Sequence, residues 1–79
     1  MMITGGQIRA ARAYARLSAA QLAELAGVAR MTVVKAEAAD GVPPLTVTNL
    51  RLIQETLESI GVIFGPDGAV NYRLPAKET

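Results

Sequence analysis

The side chains best suited to chemistry in this sequence stand together between Ala29 and Ala38: Arg30, Met31, Thr32, Val34 and Lys35. An arginine can give two parallel hydrogen bonds to the edge of a guanine, and a methionine or valine can touch the methyl group of a thymine. Threonine and lysine can hold a base or a phosphate. This is binding chemistry, and bond-breaking chemistry is much harder to assemble. The 79 residues include no Cys and no His, which removes thiol nucleophiles, imidazole bases and the common zinc sites. No glycine-rich phosphate loop and no useful pair of carboxylates occurs, so neither catalysis nor a metal or other cofactor is expected.

The elements that would position these residues can be read from their flanks. Ser18 and Gln21 form a capping-box pattern that opens a helix near Ala19. Leu22, Ala23, Leu25 and Ala26 fall at helical spacing on its inner side, and Gly27 stands where a residue with positive φ ends such a helix. Val28 can plug the corner. A further helix then spans 29–38, with Val33 and Ala36 inward and the five side chains named above outside. Two helices crossing over so short a turn need a small residue at closest approach, and Ala23 fits. Alanine and glycine alone would equally suit an αα-hairpin in a small bundle.

The full run is more telling. Leu17-Ser18, Ala23, Gly27-Val28, Thr32-Val33 and Glu37 together resemble the lambda-repressor-like (Xre and Cro type) family of helix-turn-helix regulators, closely over residues 4 to 61 and loosely beyond. The resemblance implies a mainly α fold, a four-helix DNA-binding domain, here followed by a C-terminal β-hairpin. It implies a sequence-specific regulator of transcription, a repressor and in some members also an activator, whose helix 29–38 enters the major groove of double-stranded DNA. Arg30 and Lys35, with Met31, Thr32 and Val34, would face the DNA, while Ser18, Ala19 and Gln21 would set a helix N-terminus against a phosphate. Arg12 would turn inward to pair with Glu37. Glu24, on the outer side of its helix, stands where activating members touch RNA polymerase. Two positions depart from the family pattern. Ala19 replaces a polar residue, often glutamine, and Ala29 replaces a capping serine or threonine, which leaves the recognition helix uncapped at a cost of about 1 kcal/mol.

The remaining sequence sets the scale and the surroundings. A chain of 79 residues supports one marginal core, and one rich in alanine, so support from a second subunit is expected. Thr4 and Gln7 form another capping box, opening a helix from about 5 to 16 with Ile8, Ala11 and Ala15 inward. Arg9, Arg12 and Arg16 make a row along it, and Arg9 and Arg16 are candidates for backbone phosphates. Net charge is only +1, but it is uneven. Arg9, Arg12, Arg16 and Arg30 outweigh Glu24 before Lys35, whereas Glu55, Glu58 and Asp67 outweigh Arg73 later on. Val42-Pro43-Pro44 forces an extended passage. Thr46 should cap a fourth helix carrying Val47, Leu50, Ile53, Leu57 and Ile60 inward and stopping at Gly61.

From Gly61 the apolar period changes to two, and Gly65-Pro66-Asp67-Gly68 separates two strands, which reads as a hairpin. The sequence thus divides into a helix-turn-helix region, 1–61, and a hairpin with a frayed tail, 62–79. A hairpin alone is marginal. Val62, Phe64, Val70, Tyr72 and Leu74 are therefore expected to form a homodimer interface, or else to fold back on the fourth helix. No apolar run reaches membrane-spanning length and no signal peptide precedes the domain, so a cytoplasmic protein is expected. A competing reading stays open, an antitoxin-like or anti-activator module that binds another protein through the apolar hairpin face and has no operator of its own.

Overall fold

The computed structural model of the protein describes residues 2–73. Four helices, α1 (Gly5–Ala15), α2 (Ala19–Ala26), α3 (Arg30–Glu37) and α4 (Val47–Ser59), are followed by a short antiparallel pair, β1 (Val62–Phe64) and β2 (Val70–Tyr72). The protein is mainly helical with a small C-terminal hairpin. Among the described residues no helix is long and apolar enough to cross a membrane. Leu74 and the tail at 75–79 lie outside the described residues.

Both capping boxes form. The Thr4 hydroxyl accepts from the Gln7 backbone N–H at 3.2 Å while the Gln7 side-chain oxygen accepts from the Thr4 N–H at 2.9 Å. Ser18 and Gln21 repeat the exchange at 3.0 and 2.8 Å. Gly27 closes α2 at φ 75° and Thr46 caps α4. Ala29 begins α3 with no side-chain cap. The first helix is shorter than its sequence suggests, because Arg16 adopts a left-handed conformation at φ 59° and ends α1 at Ala15.

The core joins every element. Ile3, Ile8, Leu22, Val33, Ile53 and Leu57 are fully enclosed, with Ala11, Ala23, Ala26 and Ala36 filling the close approaches between helices. Two residues expected inside are outside. Leu25 is 59 % exposed and Val47 57 %. The buried stripe of α2 runs through Leu22, Ala23 and Ala26, and at 100° per residue Leu25 falls on its flank. Val47, at the first turn of α4, points past the end of the core that begins at Leu50.

Gly5 has a role beyond starting α1. Its N–H donates to the Gly41 carbonyl at 3.0 Å, and a Cβ added there would collide with the carbonyl oxygens of Ala36 and Ala39. The start of α1 therefore lies directly against the end of α3, and only a residue without a side chain permits it.

The hairpin pairs Val62 with Tyr72, Ile63 with Asn71 and Phe64 with Val70. Its apolar face is turned into the same molecule. Val62 and Phe64 are buried, and Val70 and Tyr72 pack against the core, with the Tyr72 ring stacked on Tyr14 of α1 at 5.6 Å. Val62 and Phe64, expected at a dimer interface, are thus taken up by the core of the protomer, and Val70 and Tyr72 are largely used within it. The hairpin lies across the apolar seam between α1 and α4, touching both helices. The fold-back alternative holds, with α1 sharing the role expected of α4. The side left outside carries Ile63 and Asn71.

Candidate functional site

α3 is held from behind and open in front. Val33 and Ala36 are fully buried and Glu37 is 8 % exposed, against α2 and α1. Helical geometry then leaves Arg30, Met31, Val34 and Lys35 on the outer face, all exposed, with Thr32 half-buried. The structure therefore brings the five candidate residues onto one surface. Among the described residues only Arg12 and Glu37 form a salt bridge, so Arg30 and Lys35 have no ion-pair partner among them.

The anchor at the back of α3 is an arginine fork. Arg12 Nε donates to one Glu37 carboxylate oxygen at 2.6 Å and Nη2 to the other at 2.9 Å, while Nη1 donates to the Leu17 carbonyl at 3.0 Å. Both carboxylate oxygens and both faces of the fork are thus engaged, the strongest form of such a pair. These hydrogen bonds raise the pKa of Arg12 above its ordinary value, against a smaller opposing effect of burial. A raised pKa means stability that is fully present below the ordinary arginine value and lost only as pH climbs beyond it. The Arg12 side of the clasp therefore holds across the whole working range.

Arg9 has a different place from the one its spacing suggests. Its Nη1 donates to the Glu37 backbone carbonyl at 2.8 Å, a favourable place for a cation at the C-terminal end of a helix. Glu37 lies seven residues after Arg30, about 10 Å along the axis, so Arg9 sits at the far end of α3 from Arg30. Arg9, exposed at the surface, thus makes a second clasp on α3 in addition to the phosphate role expected of it. Of the arginine row only Arg16 is left without a partner among the described residues.

At the start of α2, Ser18 and Gln21 are exposed and Ala19 is half-buried. The capping box occupies the Gln21 side-chain oxygen, yet the Ser18 hydroxyl proton and the Gln21 NH₂ have no partner among the described residues. Both remain free to donate outward. Glu24 is likewise exposed.

One residue of consequence escaped the sequence reading. Gln7 is 3 % exposed, and beyond its capping role its Nε2 donates to the carbonyls of Gly65 and Ala69 at 3.1 and 3.0 Å. It fastens both ends of the hairpin turn to α1. The capping box marks Gln7 as a local residue, and nothing local signals the two distant acceptors.

No protein-family model matches the chain, and no curated protein matches it.

Proposed function

We propose that this chain is a sequence-specific DNA-binding regulator of transcription with a lambda-repressor-like domain, in which α2 and α3 act as a helix-turn-helix. What supports this most is the outer face of α3, where two basic side chains with no ion-pair partner among the described residues flank Met31 and Val34 on a helix fixed from behind by Arg12, Arg9 and Glu37. In this reading α3 lies in the major groove with Arg30 at a guanine edge, and Met31 and Val34 near thymine methyls. Lys35, Arg16, Ser18 and Gln21 hold phosphates. An uncapped α3 and a small contact surface limit one copy to weak binding, so the working form is a cytoplasmic homodimer on an inverted repeat with half-sites about 34 Å apart.

A salt titration of duplex binding tests the class of function, because released counterions make affinity fall steeply with salt. Affinity that does not change with salt would favour the protein-binding alternative. That alternative relied on the apolar hairpin face, which the fold has taken up internally. Arg30→Ala should weaken the cognate site by roughly 1–3 kcal/mol and relax one base position, whereas Lys35→Ala should weaken all duplexes alike. Equal losses on cognate and random duplex for Arg30→Ala would remove its role in reading sequence. Glu24 is the proposed contact with RNA polymerase. A Glu24→Lys variant that binds DNA and activates transcription as before would dismiss it.

A further inference from the structure

The outer side of α4 has no part in the DNA contacts proposed above. Val47, Arg51, Glu55 and Glu58 recur at helical spacing along it, all exposed. They line a shallow groove of about 280 Å³ whose far wall is Met2. At Glu58 this groove meets a second, of about 330 Å³, which runs past the outward side chain of Ile63. The surface is therefore apolar at both ends, with Met2 and Val47 50 % and 57 % exposed at one and Ile63 43 % exposed at the other. Between them lies a basic residue followed by acidic ones.

We propose that a second copy of this chain docks on this face, the two α4 helices packed antiparallel across a two-fold axis beside Gln54 and Glu55. The charge order carries the inference. In a two-fold contact each residue meets the residue equally far on the other side of the axis, so the surface must be complementary to itself. Arg51 and Glu58 are equidistant from that axis, and each then faces the other's counterpart on the second copy, giving two ion pairs from one pattern. Gln54, whose amide donates to Glu58 of its own helix at 3.1 Å, lies across the axis from Glu55. The apolar ends obey the same symmetry, because Val47 and Met2 of one copy meet Ile63 of the other. Within one chain Arg51 and Glu58 are two turns apart, about 10 Å, and cannot pair. This surface deepens the dimeric reading proposed above, and replaces the hairpin face that is buried in the protomer.

Sedimentation of the full chain without DNA tests the surface separately from DNA binding. The wild type should dimerise, and Arg51→Glu or Glu58→Arg alone should weaken the dimer at least tenfold, since each opposes like charges twice. Mixed in equal amounts, the two variants should associate with each other about as tightly as the wild type, because every reversed charge then meets its opposite. Circular dichroism of each variant confirms that α4 remains helical, its buried side being Leu50, Ile53 and Leu57. A mixture no tighter than either variant alone overturns the proposal, as does a dimer indifferent to both substitutions, which would use another face. A wild type that stays monomeric also overturns it and leaves the groove to a different protein. Failure to bind duplex DNA would leave the sedimentation result standing.

Discussion

Arg12 and Gln7 both reach from α1 to partners far along the chain, but they hold the molecule by different chemistry. Arg12 brings a charge to a charge, 25 residues away, and fixes the end of α3. Gln7 brings a neutral amide to two carbonyls, 58 and 62 residues away, and fixes the hairpin. The charged clasp demands one partner of one kind, so its two ends leave a recognisable pair of residues in the sequence. The amide latch asks only for backbone oxygens, which every residue has. Its partners are chosen by where the turn lands.

Loss of the hairpin should damage the molecule most. Ending the chain after Gly61 removes Val62 and Phe64 from the core together with Val70 and Tyr72. Each large apolar side chain fully buried contributes about 1.5–3 kcal/mol, and a small domain has only about 5–15 kcal/mol in all. The truncated chain should lose cooperative thermal unfolding altogether rather than persist as a folded monomer. A sharp melting transition in that chain would show the hairpin to be an accessory.

Breaking the charged clasp comes next. Glu37→Gln leaves the Arg12 guanidinium without its counter-charge and should cost about 3 kcal/mol, the low end for a buried pair because the Arg12 side chain remains 24 % exposed. Replacing both residues, Arg12→Met with Glu37→Leu, should recover part of that loss in denaturant titrations. A double variant less stable than Glu37→Gln would mean that the Arg12 bond to the Leu17 carbonyl outweighs the ion pair. Gly5→Ala belongs in the same range, at about 1–3 kcal/mol for overpacking, since it forces α1 away from the carbonyls at the end of α3.

The amide latch is sharpened by a control built into the chain, because Gln21 makes the same capping exchange as Gln7 but has no distant partner among the described residues. Gln7→Ala orphans the Gly65 carbonyl and the Thr4 N–H and removes one of two donors to the Ala69 carbonyl, which keeps the Gly65 N–H; it should cost about 2 kcal/mol, or roughly 10 °C in Tm for a domain of this size. Gln21→Ala should cost about 0.5 kcal/mol. The difference between the two measures the latch alone, and equal costs would mean that the hairpin is held by its apolar face without help from Gln7.

Much of the fold was legible because its signals act over three or four residues. Thr4 with Gln7, Ser18 with Gln21, Gly27, Thr46 and the turn at Pro66–Gly68 each satisfy or terminate their own neighbourhood, so the starts of α1, α2 and α4, the end of α2 and the presence of the hairpin follow from the order of residues. The outward set on α3 was equally legible, since Val33 and Ala36 leave only one way for the helix to face. What needed the tertiary structure was every choice between equivalent surfaces. Arg9, Arg12 and Arg16 look alike in sequence, yet one clasps a carbonyl, one clasps a carboxylate and one caps its helix with φ at 59°. Leu25 and Val47 carry the right hydrophobicity and lie at the rim of their stripes. The apolar side of the hairpin suited a partner as well as its own helices, and it turned inward because α1 and α4 bring a matching seam within reach of a short connection at Gly61. Local capping and periodicity are decided by bonds between near neighbours, whereas the use of a face is decided by which competing surface lies close enough to bury it first.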